Sequence, residues 1–322
     1  MTTAEHAAHT MAAPPSPASA TGVPSGFTVT DFLLLVMAAL WGVNFIVVKF
    51  GTQVFAPLAF NTTRIALAVV VLWTIVLVRG GAMPKRREAL GLLSLGVLGN
   101  GLYQILFVEG LARTRASDAA LVLAASPAFI EIINWLRGHE RIDRRGMAGI
   151  ALSLFGIGLV VSGGARGVMG DSTLAGNALT IAACLCWSFY SVLLRPFTER
   201  VDGLTLSAVT MTGGLIPMIA VAAPALAATR WHEAGLAAWS AVAYSGILAL
   251  VVAYLFWYRG VRVLGPTRAS MYANVQPLFA MSVAWAVLGE VPRAVQVAGA
   301  LCIMSGLLLT RLRPSLTPMA GE

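Results

Sequence analysis

The chain has 322 residues, 58% of them hydrophobic and 11% charged, with a formal net charge of +8. A soluble globular domain carries roughly 25% charged residues, so this balance excludes an ordinary soluble fold and points to a lipid bilayer. The positive charge does not describe a nucleic-acid binder, because the Lys and Arg are scattered between apolar runs rather than gathered on one basic face.

Residues 1–30 contain no Lys or Arg and are rich in Ala, Pro, Ser and Thr. A cleavable signal needs a basic start and an apolar core, so this stretch reads as a disordered tail. From there, ten segments are long and apolar enough for membrane helices, which need roughly 20 residues each. They cover about 32–50, 58–78, 89–110, 117–136, 146–163, 174–195, 203–226, 236–258, 267–288 and 294–311. Short polar joints such as 79–88 (RGGAMPKRRE) and 137–145 (RGHERIDRR) separate them. The alternation of a lipid-facing β-barrel is missing. The fold class expected is therefore an all-α integral membrane protein with ten transmembrane helices, followed by a short tail at 312–322. An even count puts both termini on one side. Fifteen Lys and Arg fall in the joints on that side and six on the other, with Arg64 inside a span. The bias toward basic cytoplasmic loops then places both termini in the cytoplasm of a multi-pass protein of the cell inner membrane.

The polar-capable residues of 41–49 (WGVNFIVVK) find a second copy at 187–195 (WSFYSVLLR), with Trp on Trp and Arg on Lys at a spacing of 146. Further along the spacing is 150: Gly110 with Gly260, Pro127 with Pro277, Glu140 with Glu290, Gly149 with Gly299, Gly156 with Gly306. A four-residue change in one loop or helix would absorb the difference. The chain therefore reads as two five-helix units, 31–165 and 174–311. Five crossings is an odd number, so the second unit enters the membrane inverted, related to the first by a pseudo-twofold axis in the membrane plane. Two such halves exchanging slightly different packings would open a central cavity first to one side and then to the other.

These residues also carry a likeness. The W-x7-[KR] opening of each half, APLAFNTTRIALA, and LGPTRASMYANVQPLFAMSVAWAVLGE with GALCIMSGLLL resemble the two EamA repeats of the drug/metabolite transporter superfamily. ARTRASDAALVLAASPAFIEII and GIALSLFGIGLVV echo the later stretch in the first half. The likeness spans about 31–311. It implies ten helices, an inverted repeat, a central cavity and export of amino acids or other metabolites, with aromatic-amino-acid exporters as one branch. A departure is Glu131, whose partner at the 150 spacing is Met281.

Polar groups inside lipid are costly and usually face a cavity or a partner helix. Trp41 and Asn44 share a helix face, and Trp187 and Tyr190 are their repeat equivalents. Tyr103 and Gln104, Tyr254, Asn274 and Gln276 add deep aromatic and amide groups. The expected substrate-binding set is these nine residues; the alternative for each is helix packing or interhelical hydrogen bonding. Pro127 and Pro277 sit mid-span, where a lost helical hydrogen bond makes a hinge or a static kink. Glu131 reads as the deepest acid and Asp118 and Glu109 as near span ends. Glu131 would bind a proton or a substrate ammonium, or pair with a neighbour. Arg64 would attract a substrate carboxylate or snorkel outward. Lys49 and Arg195 read as anchors. The recurrent glycines read as packing, within the chain or between the protomers of a homodimer. The three Cys lie in apolar segments and read as packing residues, so neither a disulfide nor a metal is expected.

No GxxxxGK[ST] loop is present, and all four His lie outside the spans. The function expected is a secondary transporter without cofactors, not an enzyme, carrying small amphipathic metabolites such as aromatic or apolar amino acids by alternating access. Its partners are a small-molecule substrate and the bilayer. An integral-membrane enzyme or a pore is the alternative. The enzyme lacks an evident nucleophile–base pair, and the pore lacks a filter loop or a ring of like side chains.

Overall fold

The computed structural model describes residues 27–138, 142–165, 174–264, 269, 272 and 274–311. The tails, the start of the expected ninth span, and His6, His9, His139, Glu140, Arg166 and Arg268 lie outside the described residues. Among the described residues the chain is helical throughout: α1 Val29–Val54, α2 Pro57–Val78, α3 Arg86–Ala112, α4 Ala116–Leu136, α5 Arg144–Ala165, α6 Leu174–Thr198, α7 Gly203–Ala228, α8 Leu236–Leu264, α9 Gln276–Leu288 and α10 Ala294–Arg311. α1 to α8 are each long and apolar enough to cross a membrane, while α9 and α10 are shorter within the described residues. Large apolar side chains such as Leu77, Trp285 and Leu301 stay exposed on the outside, the arrangement a hydrocarbon solvent favours and water does not.

Local chemistry sets the helix ends. Thr28 and Asp31 cap α1 reciprocally: the Asp31 N–H donates to Thr28 Oγ1 (3.3 Å), and the Thr28 N–H donates to Asp31 Oδ2 (2.7 Å). Asp202 Oδ2 accepts from Leu204 N–H at the start of α7. α9 stops at Gly289, whose φ of +66° is left-handed and suits glycine. That turn aims Glu290 at the start of α4, where its carboxylate accepts from the N–H groups of Ala116 (3.0 Å) and Ser117 (3.1 Å) and pairs with Arg115 at 3.7 Å. A residue of the second unit thus caps a helix of the first.

The two units share irregularities. α3 changes to π-helical winding over Val97–Leu102, and α8 does so over Tyr244–Val252. α4 breaks at Ala125 and restarts with Pro127 in its first turn, and α9 likewise carries Pro277 in its first turn. The two repeat spacings have a simple origin. α7 has 26 residues against 22 in α2, one extra turn, so the spacing is 146 before it and 150 after it.

The packing is symmetric under exchange of the units. α1 packs on α8 and α9, and α6 on α3 and α4; α2 packs on α8, and α7 on α3; α2 meets α7, and α5 meets α10. The glycine contacts obey the same exchange. A Cβ on Gly96 would lie 2.0 Å from the Thr210 carbonyl oxygen, and one on Gly246 would lie 2.8 Å from that of Arg64. Gly96 and Gly246 are 150 apart, Arg64 and Thr210 146 apart. A Cβ on Gly156 would meet the Gly299 carbonyl at 2.7 Å, and one on Gly306 would meet that of Gly149 at 2.4 Å. Reciprocal pairs of this kind are the mark of a twofold relation between like surfaces. The recurrent glycines of α5 and α10 therefore join the two units of one chain.

Candidate functional site

Arg64 lies in the second turn of α2, fully buried. Its guanidinium does not snorkel to the rim, because three side chains hold it in place. Nε donates to Asn61 Oδ1 (2.8 Å), Nη1 to Ser245 Oγ (2.6 Å) and Nη2 to Gln104 Oε1 (2.7 Å). Each acceptor is itself fixed. Asn61 Nδ2 donates to the Gln104 carbonyl (3.0 Å), and Ser245 Oγ donates to Asn44 Oδ1 (2.7 Å). Asn61 is one turn before Arg64 on the same helix, so the pair meets by helical geometry. Gln104 and Ser245 stand at the edges of the two π-helical stretches, where the altered winding turns them toward α2. The rings of Phe60 and Phe107 flank the guanidinium at 5.9 and 5.7 Å. No carboxylate pairs with Arg64 among the described residues.

An aromatic ladder runs beside this network. Trp41 meets Tyr254 edge-on at 5.4 Å, and its Nε1 donates to the Ala249 carbonyl in the π-helical turn of α8. Tyr254 meets Trp187 at 6.5 Å, and Trp187 leans on Tyr103 at 5.1 Å and on Tyr190 at 5.4 Å. Tyr103 stacks on Phe107, the ring beneath Arg64. The ladder draws on both units: Trp41 and Tyr103 at its ends come from the first, Tyr254 and Trp187 between them from the second. Trp41, Tyr103 and Trp187 remain half-buried, whereas Tyr190 and Tyr254 are buried. An amphipathic molecule placed here would find flat apolar faces next to a fixed cation.

Seven of the nine expected lining residues are thereby brought together: Trp41, Asn44, Tyr103, Gln104, Trp187, Tyr190 and Tyr254. Asn274 and Gln276 are not joined to them by side-chain hydrogen bonds among the described residues. The Gln276 backbone packs on Gly42, one residue from Trp41. Pro127 stands at the restart of α4 after Ala125, and Pro277 in the first turn of α9, with most of the residues before it outside the described ones.

Two expectations are corrected. Glu131 is half-buried on the second part of α4. Asp118, read as within reach of water or headgroups, is at 0% exposure, with its carboxylate accepting from Gln296 of α10. Its place near a span end suggested access to water, but the turn after α9 and the start of α10 cover it. Arg64, read as free to snorkel, is pinned at 0% exposure by Asn61, Gln104 and Ser245. Asn61 and Ser245 were missed. The Asn61–Arg64 spacing could have exposed the first, whereas nothing local in the sequence marks Ser245. Lys49 is an anchor as read, and its Nζ donates to the carbonyls of Leu111, Ala112 and Thr114 beyond the end of α3.

Long apolar helices enclosing a polar and aromatic interior define a multi-pass helical membrane protein. The sequence profile of the EamA-like transporter family matches residues 28–162 and again 174–312, so the chain belongs to that family, as an EamA-type member of the drug/metabolite transporter superfamily. The uncharacterized transporter YyaM of Bacillus subtilis (strain 168) is 25% identical over 86% of this chain and 91% of its own length. A probable amino-acid metabolite efflux pump of Salmonella typhimurium (strain LT2) is 26% identical over 86% of this chain and 93% of its own. A protein of solved crystal structure matches the fold with a TM-score of 0.63 at 18% identity, over 88% of this chain and 96% of that one.

Proposed function

We propose that this transporter is a secondary carrier exporting small amphipathic metabolites, amino acids with aromatic or apolar side chains foremost, by alternating access. The observation that carries the reading is the aromatic ladder Trp41–Tyr254–Trp187–Tyr103, whose outer rungs come from the first unit and inner rungs from the second. A site assembled that way is remade whenever the units shift against each other. The name of the Salmonella relative agrees with amino-acid export. In this reading the chain crosses the membrane ten times as two inverted five-helix units with both termini cytoplasmic. The exchange-symmetric packing supports that arrangement. An axis in the membrane plane makes equivalent contacts face opposite sides, so breaking one set opens one side. Pro127 and Pro277, each in the first turn of a helical segment, serve as hinges, because the interrupted backbone hydrogen bonding bends there at least cost. Asn274 and Gln276 line the cavity in its other conformation, and Glu131 binds a proton or a substrate ammonium.

Purified protein in liposomes tests this directly. Counterflow of radiolabelled amino acids, all twenty screened with and without a pH gradient, is expected to show saturable exchange for at least one aromatic or branched amino acid. An ohmic current without saturation would make the protein a pore, and chemical conversion of the solute would make it an enzyme. Either result would remove the carrier reading.

A further inference from the structure

We infer that Arg64 is the carboxylate anchor of the transport site, so that the molecules carried are acids: an apolar or aromatic group attached to a carboxylate. The inference rests on the carrier reading above and deepens it by naming the recognised group.

The argument begins with an imbalance. A guanidinium held away from water at 0% exposure needs a compensating negative charge, and a cation within a membrane span needs one more urgently. Among the described residues Arg64 receives three neutral acceptors and two aromatic faces, and no carboxylate. Neutral acceptors satisfy N–H groups without cancelling charge. The guanidinium also retains N–H donors beyond the three engaged, and planar bidentate pairing with a carboxylate is what this side chain does best.

The repeat supplies an internal control. The residue equivalent to Arg64 is Thr210, which makes the same backbone approach, to Gly96 instead of Gly246. The residues equivalent to Asn44 and Gln104, at the 146 and 150 spacings, are Tyr190 and Tyr254. Around Thr210 the backbones of α3 and α7 approach at Gly96 and Gly214, and no charged side chain is hydrogen-bonded or ion-paired to Thr210 among the described residues. The fold therefore closes this junction with threonine in one half, and the charge in the other half is not required for packing. What differs is the neighbourhood. Arg64 sits over Phe107, on which Tyr103 of the ladder stacks, so a carboxylate on Arg64 would leave the apolar part of the same molecule beside those rings. The acceptors Asn61, Gln104 and Ser245 hold the fork still and fix its direction, which lowers the ordering cost of binding an anion.

The test compares acids with their uncharged or cationic analogues in counterflow, using L-phenylalanine and L-leucine against their carboxamides and against phenethylamine and isoamylamine. The wild-type protein is expected to exchange the acids and to discriminate against the amides and amines. A hydrogen bond to a charged partner corresponds to a factor of roughly 10 to 100, and the discrimination should fall in that range. Arg64→Gln is expected to lose the acids by a similar factor while amide exchange changes by less than about threefold, and Arg64→Lys to keep part of the acid flux because the charge remains. Thermal unfolding in detergent reports whether Arg64→Gln is folded; should that variant fail to assemble, the wild-type comparison of acids with amides decides alone. Equal wild-type rates for acid and amide, or equal loss of both in a folded Arg64→Gln, would overturn the inference and leave the carrier reading intact. Exchange of no acid among the twenty but of the amides or amines would do the same. Absence of saturable exchange for every probe would overturn both.

Discussion

Gly96→Ala is expected to destabilise the protein by about 2 kcal/mol, while Gly158→Ala is expected to stabilise it by up to about 1 kcal/mol. The two changes add the same methyl group to a helix. At Gly96 that methyl would lie 2.0 Å from the Thr210 carbonyl oxygen and 3.0 Å from the Thr210 Cα, so α3 and α7 would have to separate. Gly213 and Gly214 bring α7 equally close from the other side, their added methyls meeting the backbone of Leu93 at 2.2 Å and of Asn100 at 2.3 Å. The strain cannot be relieved by turning a side chain, because the obstacles are main-chain atoms. At Gly158 nothing lies within 4 Å, and only the conformational cost of glycine is removed. Thermal unfolding in detergent, followed by tryptophan fluorescence, reads both. A Gly96→Ala protein melting at or above the wild-type temperature would show that the α3–α7 seam is looser than its geometry.

Trp187→Ala is expected to raise the KM for an aromatic or branched amino acid by about tenfold or more, with Trp187→Phe within about threefold of wild type. Trp187 touches Tyr103 of the first unit and Tyr190 and Tyr254 of the second, so it is the rung at which the two halves meet. Removing its ring takes away a flat face worth about 1.5–3 kcal/mol when covered. It also loosens Tyr103, which stacks over Phe107 beneath Arg64. The effect should shrink for small amino acids, which cannot span the ladder. Initial counterflow rates against substrate concentration separate the cases. An unchanged KM in a folded Trp187→Ala protein would mean the ladder is packing and does not line the site.

Several of these features were legible in the sequence. The repeat was visible because Trp41 and Trp187, Pro127 and Pro277, and the glycines of α5 and α10 are types whose geometry has few substitutes. Even the jump from 146 to 150 was readable, and it resolves into one extra turn of α7. The aromatic members of the site were legible for a related reason, since deep Trp and Tyr stand out in an aliphatic background. The state of the charged groups was not. Whether Arg64 snorkels depends on Gln104 and Ser245, which lie 40 and 181 residues away and meet it only because α3 and α8 change winding. π-helical turns leave no clear trace in residue type. Asp118 was misjudged because distance from a span end was taken as exposure, whereas the loop closed by Gly289 and Glu290 folds over it. In each case a helix partner distant in sequence decided the environment of a local group.

The proposed carrier mechanism depends on an inverted relation of the two units, and labelling from one side of the membrane tests that relation most directly. Gln53 near the end of α1 and Glu199 just past the end of α6 are repeat equivalents and are both exposed. With Cys184, Cys186 and Cys302 replaced by alanine, single cysteines at 53 and 199 would be treated with a membrane-impermeant maleimide in intact cells and again after permeabilisation. Position 53 should label in intact cells, and position 199 only after permeabilisation. Labelling of both from the same side would mean that the units run parallel, and an exchange of inverted halves could then not be how this protein works.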